Sequence, residues 1–293
     1  MRLQLKGVFA PNITPFAGNA VDEAGLRRVL DYFIEKGIDG LVPCGTTGES
    51  ATLSHDEHRQ VVELTVRHAA GRVPVIAGAG SNSTAESIEL VKHAEAVGAD
   101  AVLVICPYYN RPTQAGLLAH FTKVAASTSL PVIMYNIPSR TGVNMEAQTT
   151  ARLSRIRNIV GIKEASGNLG QVADIIRLAE PGFSVLSGDG ALTFSICCLG
   201  GTGGILADAH ILPETWRKLV QLVAESRLRE AREIHYRLLP VTQALFLETN
   251  PSPAKAAFEM MGICSSETRL PLLPASDACR ARLREELTKL GVI

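Results

Sequence analysis

Eight short apolar runs rich in Val and Ile recur along the chain, starting about 20–35 residues apart, and a segment with helix signals follows each. They occupy 7–13, 40–43, 74–77, 101–105, 131–135, 159–163, 184–187 and 204–206. The runs are continuous rather than alternating, which is the pattern of parallel strands buried on both faces. Ser54-His55-Asp56-Glu57 and Ser83-Thr84-Ala85-Glu86 read as capping boxes that open two of the helices, and Gly37, Gly71 and Gly98 read as glycines that close helices. No composition shift or Pro/Ser-rich linker separates the units. The expected fold is an α/β chain forming a (β/α)8 TIM barrel over 1–225, with a C-terminal helical appendage over 226–293. Within that appendage, helices are expected at 227–247, 252–261 and 277–290. A doubly wound sheet is the rival. It normally has fewer units and a Gly-x-Gly-x-x-Gly after its first strand, whereas here that strand runs into Pro11-Asn12-Ile13-Thr14-Pro15-Phe16.

Composition narrows the function class. With 46% hydrophobic and 20% charged residues in 293, the chain can fill a large core, which excludes a disordered or fibrous protein. Lys plus Arg equals Asp plus Glu at 29 each, so the basic excess of a nucleic-acid partner is missing. The opening Met1-Arg2-Leu3-Gln4-Leu5-Lys6 lacks the apolar core of a signal peptide. The longest apolar stretch, 191–207, is broken by Gly-Gly-Thr-Gly-Gly and reads as two short buried elements rather than a membrane span. Six cysteines without a Cys-x-x-Cys pair fit reduced thiols, so the expected compartment is the cytoplasm.

In a TIM barrel the chemistry sits at the C-terminal ends of the strands. That filter selects Gly45-Thr46-Thr47-Gly48-Glu49 after strand two and Pro107-Tyr108-Tyr109-Asn110-Arg111-Pro112 after strand four. It also selects Tyr135 to Gly142 after strand five, Lys163-Glu164 on strand six and Gly188-Asp189 after strand seven. Of eight lysines, Lys163 alone ends a buried apolar strand; the other seven lie in polar termini or helical segments, where a solvated role is the default. Desolvation lowers a lysine's pKa, and a neutral amine is what attack on a ketone requires. The bland reading, an ion pair with Glu164, is geometrically poor because adjacent strand residues face opposite ways. Tyr135 and Tyr109 could relay protons, Thr46 and Thr47 supply hydroxyls and N–H groups, and Arg140 could fork onto a carboxylate. The glycine run before strand eight lies where barrel enzymes often hold phosphate, but no basic residue adjoins it in sequence, so close backbone packing is the better reading. His55 and His58 share a helix face, yet lack a third metal ligand at a convincing spacing. Cys44 and Cys106 read as small buried hydrophobes.

These motifs together resemble the dihydrodipicolinate synthase / N-acetylneuraminate lyase superfamily of Schiff-base-forming pyruvate enzymes. The likeness runs from the Thr-Pro-Phe turn at 14–16 to Asn250-Pro251-Ser252-Pro253-Ala254-Lys255. It implies that Lys163 forms the Schiff base and that Thr46, Tyr135 and Tyr109 relay protons, Tyr109 reaching in from a neighbouring subunit. It further implies that Thr47 holds the pyruvate carboxylate, that Arg140 meets the carboxylate of L-aspartate-4-semialdehyde, and that Gly188 and Ile205 line the site. The expected reaction condenses the two substrates in lysine and diaminopimelate biosynthesis with no metal and no organic cofactor, because the lysine is the electron sink. A homotetramer built as a dimer of tight dimers is expected. So is allosteric inhibition by free L-lysine at Ser50, Ala51, His55, His58, Asn82, Glu86 and Tyr108. The chain departs from the family pattern at Gly190, where a second Asp is common, and at 206–210, where an Ile-Ser-Val run with a later Asn is usual. A related aldolase acting on a sugar-derived aldehyde, or a non-catalytic paralogue, stays open on those grounds.

Overall fold

The computed structural model describes residues 5–293. The polar opening at 1–4 lies outside the described residues. The eight strands are β1 (Gly7–Ala10), β2 (Gly40–Leu41), β3 (Ile76–Gly78), β4 (Ala101–Ile105), β5 (Val132–Asn136), β6 (Ile159–Glu164), β7 (Ser184–Ser187) and β8 (Gly203–Ile205). They form one parallel sheet in the order β2-β1-β8-β7-β6-β5-β4-β3, and a bridge between Leu41 and Val75 brings its two edges together. The result is a nearly closed TIM barrel, as expected. A two-stranded hairpin, Phe16–Ala17 with Ala20–Val21, follows β1.

Strand ends moved where backbone chemistry intervened. β4 and β7 coincide with the sequence reading. β1 stops at Ala10 because Pro11 has no N–H to offer a ladder, and β2 stops at Leu41 ahead of Cys44, whose φ of 54° turns the chain. β5 and β6 each extend one residue further, to Asn136 and Glu164. β3 begins at Ile76 and reaches Gly78, and β8 covers 203–205.

Between and after the strands run α1 (Glu23–Glu35), α2 (His55–Ala69), α3 (Thr84–Ala96), α4 (Gln114–Ala125), the short α5 (Pro138–Thr141), α6 (Ala147–Leu153), α7 (Leu169–Leu178), α8 (Gly190–Cys198) and α9 (Pro213–Ala224). Ser54 and Glu57 form both halves of a capping box. The second box is corrected. Ser83 does accept from the Glu86 N–H, but the Glu86 carboxylate turns away to the Ser81 hydroxyl and to His55. Two cores result from the alternation of side chains along the strands. Phe9, Ile76, Leu103, Ile133, Val160, Leu186 and Ile205, one from each of seven strands, fill the barrel with Val42 and Tyr135. The larger outer core lies between strands and helices. Each large apolar side chain so buried contributes roughly 1.5–3 kcal/mol.

The glycine run sits at the opposite end from the mouth, ahead of β8. A Cβ at Gly203 would stand 1.8 Å from the Gly7 carbonyl oxygen, so close backbone packing accounts for that glycine. Lys6, Arg217 and Lys218 share a cavity with the run, but Arg217 is committed to Asp39 at 2.8 Å.

The tail forms α10 (Leu228–Leu245), α11 (Ser252–Met260) and α12 (Asp277–Lys289), which pack on one another and on α8 and α9. It also reaches the mouth. Arg269 forks onto Glu57 at 2.7 and 2.6 Å, which pulls that carboxyl down to about 2. Among the described residues no helix is long and apolar enough to cross a membrane.

Candidate active site

Register places the central pair. In the β5–β6 ladder Tyr135 lies directly opposite Lys163, and Asn136 opposite Glu164, so each pair shares a face. The pairing shifts by one residue between Val132 and Ile133, a bulge that re-aims everything after it. Without the shift, Lys163 would register with Asn136 on the helix-facing side. Gly161 in the bulged strand is required: a Cβ there would come within 2.7 Å of the Ser184 carbonyl oxygen on β7.

Lys163 therefore points into the barrel, 6% exposed, with Nζ 4.3 Å from the centroid of the Tyr135 ring. Burial pushes its ammonium down to about 7; the Asp208 carboxyl opposes this and the Arg140 guanidinium adds to it. Glu164 takes no part, since its carboxylate accepts from Asn136 Nδ2 at 3.0 Å and from the Ser166 N–H at 2.7 Å. Gly188 makes room for the lysine: a Cβ at 188 would stand 3.0 Å from Lys163 Cε and 2.7 Å from the Ala165 Cβ. Ile205 is fully buried in the barrel layer.

Burial pushes the Tyr135 phenol up to about 12, and a hydrogen bond with Thr46 partly offsets that rise. Thr47 is buried, and its hydroxyl accepts from Asn250 Nδ2 at 3.0 Å. Arg140 sits exposed on α5 at the lip and donates to the Asn250 carbonyl at 3.4 Å. Tyr109 is the exception. It is 89% exposed with a φ of 72°, so this chain alone does not bring it to Lys163.

A cavity of about 520 Å³ opens above this layer. Thr46, Tyr135 and Arg140 line one part, and Ser50, Ala51, His55, His58, Glu86 and Tyr108 line another. Lys163, Thr47, Tyr109, Gly188 and Ile205 are not on its wall. Asn82 is also off it; its carbonyl accepts from Asn110 Nδ2 at 2.9 Å. His58 is buried and burial lowers it to about 4, so its ring is neutral near pH 7. His55 is largely exposed and lies 3.5 Å from the Glu86 carboxylate.

Three residues were missed or misread from sequence. Asn250 ties Thr47 to Arg140, whereas in the sequence it only opens the Asn-Pro-Ser-Pro run that marks the end of the resemblance. Lys255 was given a solvated role and is in fact fully buried, paired with Glu49, donating to the Glu267 carbonyl at 2.7 Å and lying over the Phe16 ring. A pattern of helical spacing does not reveal that both faces of α11 are covered. Asp208, beside β8, is 1% exposed, and neither carboxyl oxygen has a hydrogen-bond partner. Burial raises it to about 7.

A buried lysine lowered towards neutrality beside a buried tyrosine, at the mouth of a barrel, is the geometry of an amine that attacks carbonyls. The model of the dihydrodipicolinate synthetase family matches residues 4–290. The chain belongs to that family. The 4-hydroxy-tetrahydrodipicolinate synthase of Syntrophus aciditrophicus is 50% identical over 98% of this chain and 99% of its own. The solved dihydrodipicolinate synthase of Aquifex aeolicus is 43% identical, superposes with a TM-score of 0.96, and covers 98% of this chain and 99% of its own. That of Cyanidioschyzon merolae, solved with lysine bound, is 39% identical with a TM-score of 0.96, covering 98% of this chain and 99% of its own.

Proposed function

We propose that this member of the dihydrodipicolinate synthetase family condenses pyruvate with L-aspartate-4-semialdehyde to 4-hydroxy-tetrahydrodipicolinate. The observation that carries the reading is Lys163: buried, lowered to about 7, and 4.3 Å from the Tyr135 ring centroid. Its amine attacks C2 of pyruvate, and loss of water gives an iminium. A methyl proton then leaves, forming an enamine whose carbon adds to the aldehyde carbon of the semialdehyde. The semialdehyde's own amine attacks C2, closing the ring and releasing Lys163. Tyr135 and Thr46 carry protons in these steps, and Thr47 receives the pyruvate carboxylate beside Asn250. Arg140, exposed at the lip, receives the second substrate's carboxylate. Relatives about half identical that carry the synthase name favour this aldehyde over a sugar-derived one. Turnover of aspartate semialdehyde against sugar aldehydes, each with pyruvate, tests the choice; faster turnover of a sugar aldehyde would overturn it.

Tyr109 completes the relay from a second copy of the chain. Its exposure and its left-handed backbone, costly for a tyrosine, support this role. The second part of the cavity is proposed to take L-lysine as an inhibitor, with Glu86 facing the ligand's ammonium. Continuity with the part lined by Thr46 and Tyr135 supports that reading.

A further inference from the structure

Asp208 occupies the 3-10 turn Ala207–His210, which leaves β8 at the mouth end of the barrel. Nothing in the reaction described above uses it. A carboxyl group hidden from water with both oxygens unpartnered is among the more costly features a fold can carry, and folds keep such groups where they serve a site. Its surroundings are specific. The Thr242 hydroxyl of α10 and the Gly190 N–H at the start of α8 face it without satisfying either oxygen. Asp189, the N-cap of α8, is the nearby like charge. His210, two residues on, is kept neutral by burial and is tied to the Ala207 carbonyl at 2.7 Å. Lys255 of α11, which also packs on this turn, is committed to Glu49.

The slot exists because residue 190 is glycine. A Cβ there would stand 2.3 Å from the Asp208 Cγ and 2.4 and 2.6 Å from its two oxygens. The three atoms nearest to that position all belong to the Asp208 carboxyl, so the pair is matched: a side chain at 190 and a carboxyl at 208 exclude each other. Two residues before Gly190, Gly188 lies against the Lys163 side chain, where a Cβ would stand 3.0 Å from Cε, so one short segment seats both the lysine and the Asp208 carboxyl. The carboxyl favours the charged form of Lys163, and the two form no ion pair.

Distance is what makes the arrangement useful. A carboxylate in contact would hold Lys163 as an ammonium and remove the nucleophile, since an opposite charge at that range strongly favours the charged form. With no carboxylate at all, the protonated Schiff base would be stranded as a cation in an apolar pocket and would shed its N–H proton. A carboxyl beyond contact range permits the neutral amine and still stabilises the cation that follows. Resting on the Schiff-base reading above, we propose that Asp208 is the counter-charge of the Lys163 iminium, a positioning residue acting through Lys163 from a slot that Gly190 keeps open.

The test is the pH dependence of adduct trapping on Lys163 with pyruvate and borohydride. It compares the full-length protein with Asp208→Asn and with the double variant Gly190→Asp/Asp208→Ser. The double variant returns a carboxyl to the same volume from the other side. In Asp208→Asn the acid limb of trapping moves down by about one pH unit, and half-maximal trapping needs about tenfold more pyruvate. The double variant brings both back towards the native values. A residue that only braced the turn would lower the yield without moving the limb. An unmoved limb in Asp208→Asn, or a folded double variant that behaves like Asp208→Asn, overturns the inference. Should Asp208→Asn fail to fold, the double variant decides: a native limb supports the counter-charge and a displaced limb overturns it. Absence of any adduct in the native protein would instead sink the Schiff-base reading, and this inference with it.

Discussion

Replacing Lys163 by methionine should make the protein more stable while abolishing its activity. The new side chain keeps the length that Gly188 accommodates but brings no charge into the barrel. The magnitude follows from titration. An unfolded lysine titrates near 10.5, whereas burial lowers Lys163 to about 7. Near pH 7.5, folding strips a proton from a group still three units below its free pKa, at a cost of about 4 kcal/mol. The sign is set by which state binds more protons. Between about 7 and 10.5 the unfolded chain holds the extra proton, so native stability rises with pH across that window and the penalty fades. The gain from Lys163→Met is therefore about 4 kcal/mol near pH 7.5, or roughly 7 °C in melting temperature for a chain this long. It falls by about 1.4 kcal/mol for each further pH unit. Apolar contacts of the methionine add a constant offset, so the slope with pH is the diagnostic. Calorimetric melting of both proteins near pH 7.5, 8.5 and 9.5 measures it. A gain independent of pH, or a loss of stability near pH 7.5, would refute the claim that an uncompensated amine is buried here.

Arg140→Ala should lose semialdehyde use by about 1.5–3 kcal/mol of binding while pyruvate adduct formation stays near native; equal damage to both steps, measured by steady-state kinetics and by trapping, would assign Arg140 to the loop or to the first substrate. Mixing inactive Tyr109→Phe and Lys163→Ala chains should restore part of the activity, because one hybrid site has both groups intact; no rescue in confirmed mixed oligomers would mean that Tyr109 acts within its own chain. Free L-lysine should slow the initial rate without competing with pyruvate, and Glu86→Ala should weaken that effect; full activity at saturating lysine, or simple competition with pyruvate, would count against a separate site.

The barrel was legible because parallel strands buried on both faces leave continuous Val- and Ile-rich runs, and β4 and β7 came out residue for residue. Errors at the ends of β1 and β2 came from Pro11 and from the left-handed turn at Cys44, which local hydrophobicity does not report. Lys163 was legible because a charged residue at the end of such a run is an anomaly against its neighbours. The bulge that turns it towards Tyr135 was not, since register depends on the partner strand. Lys255 and Asp208 were misread or passed over for one reason. Each lies in a helical or turn segment whose polarity looks ordinary, and only packing between distant segments buries it. Gly190 and Asp208 showed in sequence as two unrelated departures from the family pattern, and their contact in space explains them together.

The central claim is that one buried amine carries the chemistry, and reduction of the protein with borohydride in the presence of pyruvate tests it most directly. Peptide mapping by mass spectrometry should place the reduced adduct on Lys163 alone. Lys255 is the internal control: equally hidden from water but held by Glu49, it should stay unmodified. An adduct on any other lysine, or persistence of labelling at native yield in Lys163→Ala, would contradict the assignment.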